Sequence, residues 1–321
     1  MEKRQIGRST LSIAPLMLGG NVFGWTADET TSLALLDAFI DAGFNAIDTA
    51  DAYSRWVPGH TGGESETIIG KWLKARGLRD RVIIATKVGW DMGGENKGLS
   101  AAYMVRAVED SLRRLRTDYI DLYQSHRDDP ETPQDETLEA YGRLTAQGKV
   151  RFIGASNFDA GRLGQALKVS QDRALPRYES LQPLYNLVDR ATFEGQLQDL
   201  CVQEEVGVIC YYGLAAGFLT GKYRCEADLS KSPRGAGVKR YLDERGERIL
   251  TALDAISLVH GATPAQVALA WLVAQPAVVA PIASATSLPQ LTEILGALRV
   301  KLAPGDIEVL NTASAPEPVT A

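Results

Sequence analysis

The chain has 321 residues and a net charge of -6, with 45% hydrophobic and 23% charged residues, an ordinary globular composition with enough chain for one large core. No Lys/Arg cluster is dense enough to track a phosphate backbone, which argues against a nucleic-acid partner. Three cysteines (Cys201, Cys210 and Cys225) with no CxxC pair argue against a disulfide framework and a structural zinc, and fit a reducing compartment.

The opening residues, MEKRQIGRST, lack the apolar stretch of a signal peptide. Residues 3–13 read instead as a hairpin able to plug the bottom of a barrel. Short apolar runs and amphipathic segments then alternate to the end. Strands are expected at 15–18, 45–48, 82–87, 120–124, 150–156, 180–184, 206–212 and 278–283. Helices are expected at 31–42, 64–75, 101–115, 136–147, 160–169, 191–205, 265–274 and 289–298, with Ser100 as N-cap of the third. Residues 213–262 read as a long insertion between the seventh strand and its helix. The chain after Leu302 reads as a frayed tail. The most apolar stretch, 267–285, is broken by Gln275, Pro276 and Pro281, so it reads as a helix and a buried strand rather than a membrane span. A cytoplasmic protein of one domain, 1–321, follows as the expectation.

Eight strand–helix units imply a parallel sheet with right-handed crossovers, which can close into a (β/α)8 barrel and so remove both edges. An open doubly wound sheet is the competing fold, but no G-x-G-x-x-G follows any strand.

In such a barrel, catalytic groups gather where the strands end. The second strand ends in Asp48, the third in Lys87, and the fourth runs into His126; Tyr53 follows Asp48 on the loop above. A tyrosine with a pKa of about 10 is a poor acid unless a cation lowers it. Lys87 supplies that cation, Asp48 holds it charged, and His126 can orient a carbonyl oxygen. Singly, each residue has a bland reading as helix cap, surface charge or structural histidine. Together they occupy consecutive strand ends on one face.

The segments IDTADAYS, IATKVG and QSHRDD, with their order along the chain, resemble the aldo-keto reductase superfamily over roughly residues 11–298. The resemblance implies that Asp48, Tyr53, Lys87 and His126 form the family's tetrad, with hydride passing from nicotinamide to a carbonyl compound and Tyr53 giving the proton. It also implies cofactor contacts. Gly20 and Asn21 follow the first strand. Ser156, Asn157 and Gln182 would hold the carboxamide, Tyr211 would stack on the nicotinamide, and Tyr212 and Leu214 are its neighbours. Gly217, Lys222 and Arg234 would clasp the pyrophosphate. Ser284, Thr286 and Gln290 would face the 2′-phosphate, with Glu293 near adenine.

Many relatives carry a Lys or Arg at the 2′-phosphate position, and this chain does not. NADPH is the implied cofactor and NADH use is plausible. Trp25, Trp56 and Trp90 would wall the substrate pocket. The SRWVPG-x-x-GGESE stretch looks like a bacterial branch, some of whose members are thought to reduce ketone forms of sugars or of trichothecene mycotoxins. The alternatives are an NADPH-binding regulatory subunit of the channel β-subunit type, and a barrel aldolase or isomerase using Lys87 as a Schiff-base amine.

Overall fold

A computed structural model describes residues 2–316. The chain opens with an antiparallel hairpin, β1 (Arg4–Gln5) and β2 (Ser12–Ile13). Eight parallel strands follow: β3 (Met17–Gly19), β4 (Ala46–Asp48), β5 (Ile83–Val88), β6 (Ile120–Ser125), β7 (Val150–Ser156), β8 (Tyr178–Gln182), β9 (Gly207–Cys210) and β10 (Val278–Ala283). They form a closed barrel in chain order. β10 returns to β3 through Ile282 opposite Met17 and Ala283 opposite Leu18.

β6 and β10 are buried along their whole length, as are five of the six residues of β5. Strands packed against side chains inside the barrel and helices outside have no wet face, so their sequences run apolar rather than alternating. The helices are α1 (Glu29–Asp41), α2 (Glu64–Arg76), α3 (Ala101–Leu115), α4 (Gln134–Ala146), α5 (Ala160–Arg173), α6 (Gln196–Gln203), α7 (Glu244–His260), α8 (Pro264–Val273), α9 (Leu288–Leu295) and α10 (Pro304–Ala313). Asp28, Asp159, Asp243 and Thr263 cap their helices through side-chain oxygens.

The hairpin closes one end of the barrel. Ile6, Leu11 and Ile13 pack into one apolar cluster with Met17, Ala46, Ala85, Leu122 and Ile209. Each fully buried aliphatic chain there contributes about 1.5–3 kcal/mol.

Several expectations change. Ser100 does stand at the N-cap of α3, but its hydroxyl makes no cap bond. The carboxylate of Glu136 instead accepts from the Ala101 N–H at 2.9 Å. β8 lies two residues earlier than expected because Pro183 has no N–H to extend the ladder. α6 starts only at Gln196, since the side-chain oxygen of Asn186 accepts from Val188 and Asp189 and holds the preceding segment in turns.

The expected insertion is largely structured. Three 3-10 turns (Ala215–Thr220, Glu226–Lys231 and Gly235–Tyr241) lead into α7, which buries Ile249, Leu250, Leu253 and Ile256. The expected frayed tail contains α10, whose Leu310 is buried, while residues 317–321 lie outside the described residues. The apolar stretch 267–285 divides into α8 and β10. Among the described residues no single helix is long and apolar enough to cross a membrane.

Candidate active site

At the strand ends opposite the hairpin, β4 finishes in Asp48, β5 carries Lys87 one residue before its end, and His126 directly follows β6. Pairing sets their relative height: Asp48 faces Ala85 on β5, and Lys87 faces Gln124 on β6.

Lys87 is fully buried, and its three ammonium hydrogens have three acceptors. They are the Asp48 carboxylate at 2.7 Å, the Thr49 carbonyl at 2.8 Å and the Tyr53 phenol oxygen at 3.1 Å. Because Lys87 donates to the phenol oxygen, the phenol's own proton remains free for another acceptor. The other Asp48 oxygen accepts from the Gln182 amide at 2.8 Å and from Gln124 at 3.5 Å. Burial alone would pull the Lys87 ammonium down, but Asp48 and then Tyr53 outweigh it and hold it above the ordinary lysine value.

Tyr53 departs from expectation. Burial pushes its phenol up, and the opposing field of Lys87 only partly offsets this, so the phenol is raised above the ordinary tyrosine value rather than lowered. His126 is held neutral: burial first, then Lys87 and Arg127, lower it well below the ordinary histidine value. Its ring sits 5.9 Å from that of Tyr53, centroid to centroid, and its Nδ1 is buried with no partner among the described residues.

The three tryptophans gather around this centre. Trp56 meets Tyr53 edge-on at 5.7 Å and Trp25 at 5.6 Å, while Trp90 lies 5.1 Å from His126. Trp56 and Trp90 remain about half exposed, which makes them the rim of the mouth. The loop carrying Trp56 is braced by Glu64, whose carboxylate accepts from the backbone N–H groups of Ser54, Thr61 and Gly62.

The expected cofactor residues form three groups. In the first, Tyr211 donates to the Asn157 side-chain oxygen at 2.7 Å, and Asn157 donates to the His126 carbonyl at 2.9 Å and to Ser156 at 3.1 Å. Ser156 in turn donates to the Gln182 carbonyl. Tyr212, half exposed with φ 55°, and Leu214 continue the chain.

The second group lies in the long segment after β9. Gly217 has φ 97°, and a Cβ there would come within 3.4 Å of the Lys222 ammonium, so the glycine lets the two approach. Arg234 lies over the Trp25 ring, with its guanidinium carbon 5.4 Å from the centroid. Burial lowers its pKa, and its Nη2 is buried with no partner among the described residues.

The third group follows β10. Ser284 donates to Asn21 at 2.6 Å across the β10–β3 seam. The Gln290 side-chain oxygen accepts from the Thr286 backbone and hydroxyl, at the start of α9. Glu293 lies one turn further along that helix. Gly20 is needed for close approach, since a Cβ would strike Ser65 at 2.7 Å and the Asp48 carbonyl at 3.1 Å.

Sequence reading missed the supports of the centre, Gln124 and the Thr49 carbonyl. Gln124 carried a signal: it is a polar residue inside an apolar strand, beside His126. The Thr49 carbonyl carried none, since any residue supplies one.

The family model described as "Aldo/keto reductase family" matches residues 15–315. The chain is 34% identical over 320 residues to a protein named uncharacterized oxidoreductase YrpG from Bacillus subtilis (strain 168), covering 97% of this chain and 95% of that one. It is 30% identical over 318 residues to "Aldo-keto reductase yakc [NADP(+)]" of Schizosaccharomyces pombe (strain 972 / ATCC 24843), covering 97% and 90%. It is also 33% identical over 309 residues to a probable voltage-gated potassium channel subunit beta of Oryza sativa subsp. japonica, covering 94% and 92%. With near full-length coverage in each case, the chain belongs to the aldo/keto reductase family.

Proposed function

We propose that this protein is an NADPH-dependent reductase of aldehydes or ketones, with Tyr53 as the proton donor. The observation that carries the reading is the Lys87 ammonium donating to the Tyr53 oxygen at 3.1 Å, beneath an aromatic mouth. A phenol whose oxygen already accepts a hydrogen bond turns its own proton outward, toward a carbonyl oxygen entering between Trp56, Trp90 and His126. Neutral His126 can donate from a ring nitrogen to that same oxygen and fix its direction. When the phenol gives up its proton, the oxyanion left behind faces Lys87, already charged and aimed by Asp48. An ammonium with all three hydrogens engaged is not a nucleophile, which sets aside the Schiff-base reading.

When bound, the nicotinamide nucleotide supplies the hydride to the carbonyl carbon. The residues present suit such a group. The unpaired Nη2 of Arg234, with Lys222 beside Gly217, offers cationic donors for a pyrophosphate. Ser156, Asn157 and Gln182 would hold the carboxamide, and Tyr211 would stack on the ring. Ser284, Thr286 and Gln290 offer hydroxyls and an amide for a 2′-phosphate, so NADPH is favoured with NADH as a weaker substitute.

Titration with NADPH and NADH, followed by tryptophan fluorescence, tests the nucleotide site; an aldehyde and ketone screen tests turnover. Expected are NADPH-selective quenching and reduction of apolar or ring-shaped carbonyl compounds, with Tyr53→Phe keeping the quench and losing turnover by at least about a thousandfold. Binding without turnover would favour a nucleotide-sensing subunit. Binding of neither nucleotide would end the reductase reading.

A further inference from the structure

Asp51 stands two residues before Tyr53, is buried, and has no role in the machinery above. Its backbone N–H donates to the Lys87 carbonyl at 3.3 Å, so it is pinned beside the strand carrying the ammonium. The titratable groups that interact electrostatically with its carboxyl are Glu66 of α2, Arg114 and Tyr103 of α3, Lys87 of β5, Tyr123 of β6 and Tyr141 of α4. Glu66 is fully buried and takes two side-chain donors, Arg114 Nε at 2.7 Å and the Thr86 hydroxyl at 2.6 Å, while the backbone N–H of Ala52 acts on Asp51. Asp51 Oδ1 is left without a partner among the described residues, and so is the Tyr123 hydroxyl.

A charge count shows what this means. Three buried carboxyls, Asp48, Asp51 and Glu66, share the field of two cations, Lys87 and Arg114. Asp48 and Glu66 each hold one cation in direct contact. A third negative charge, with no donor on one oxygen, takes a proton instead.

We propose that Asp51 is a positioning residue: a buried carboxylic acid that, by staying neutral, leaves the field of Lys87 undiminished on Tyr53, and that weakens Tyr53 as an acid when it ionises. The inference rests on Tyr53 being the proton donor. Burial and Glu66 lift Asp51 to about 8, so the change falls in a range open to experiment. Below it Lys87 answers to Asp48 alone. Above it a second negative charge, on a residue whose backbone is bonded to that of Lys87, enters the field of the ammonium and offsets part of its pull on the phenol. Carbonyl reduction then slows in a partial step before Tyr53 itself ionises, which burial pushes above the ordinary tyrosine range.

The test joins two measurements. Infrared difference titration of the nucleotide-free protein should show a protonated-carboxyl band lost as pH rises through about 8. That band should be absent in Asp51→Asn. The reduction rate at saturating substrate should fall about two- to fivefold through the same midpoint, and Asp51→Asn should remove the step. Should Asp51→Asn fail to fold, Glu66→Gln serves. It removes a repelling charge and frees Arg114, so band and step should both move to lower pH. A band that survives Asp51→Asn, or a midpoint unmoved by Glu66→Gln, overturns the assignment. A titrating band with no kinetic step overturns the coupling to Tyr53. Failure of the underlying reading looks different: Tyr53→Phe would then retain turnover whatever Asp51 does.

Discussion

At the scale of single residues, the decisive feature is that Lys87 has no unused hydrogen. Lys87→Met would leave the Asp48 carboxylate buried beside Gln182 with no cation, and Tyr53 without the field that opposes its burial. The phenol, already raised by burial, moves higher still. The sign follows. Alcohol oxidation needs the phenolate, so its rising limb shifts to more alkaline pH, while reduction loses roughly a hundred- to ten-thousandfold as the acid weakens. pH profiles in both directions check this; an unshifted oxidation limb would remove Lys87 from the proton balance. Asp48, Lys87 and His126 were legible as candidates because polar side chains stand at the ends of three consecutive apolar strands, and Tyr53 because it follows on the loop above Asp48. Asp51 and the Thr49 carbonyl were not, because their meaning comes from what burial places beside them. The direction of the Tyr53 shift was misread for the same reason: sequence names the cation but not the desolvation that outweighs it.

At the scale of elements, the strands and helices were legible in proportion to how local their causes are. α3 was read to the residue because its apolar spacing is regular over 15 residues. α7 was overlooked although Asp243 caps it and Gly261, at φ 58°, ends it. A second helix within one βα unit breaks the alternation, and the repeat hid the local signal. β8 was misplaced although Pro183, visible in the sequence, offers no N–H to the ladder: the apolar run carried the reading past it. The contact between α2 and α3 offers a test of how tightly these elements are set. A Cβ on Gly70 would lie 2.1 Å from the Arg114 carbonyl oxygen and 2.7 Å from the Leu115 carbonyl carbon. Both are backbone atoms, so the helices must separate to admit it. Gly70→Ala is expected to destabilise the fold by about 1–3 kcal/mol, read as a lower urea midpoint at unchanged slope. A neutral result would mean that the helices shift without strain.

At the scale of the whole molecule, closing the barrel divides the labour between its two ends. One end is sealed by the hairpin, where Ile6, Leu11 and Ile13 meet residues facing inward near the starts of the strands. The other carries Asp48, Lys87 and His126 on the strand ends. Eight alternating units made the closure legible, and the apolar residues of positions 3–13 made the plug legible. Stability and chemistry should therefore separate by mutation. Leu11→Ala removes a side chain that is only 2% exposed and leaves a cavity among neighbours already fixed by the barrel, so it should cost about 2–5 kcal/mol. The apolar cluster it belongs to contains none of Asp48, Tyr53, Lys87 and His126, and of the residues proposed for the nucleotide only Tyr211 packs against its edge. The urea midpoint should fall well below that of the parent, while kcat and the NADPH Kd, measured at a temperature where the variant remains folded, stay within about twofold. A large loss of nucleotide affinity in the folded variant would mean that strain at the plug travels along the strands to their far ends. The barrel would then act as one coupled body rather than as a scaffold whose two ends answer to different demands.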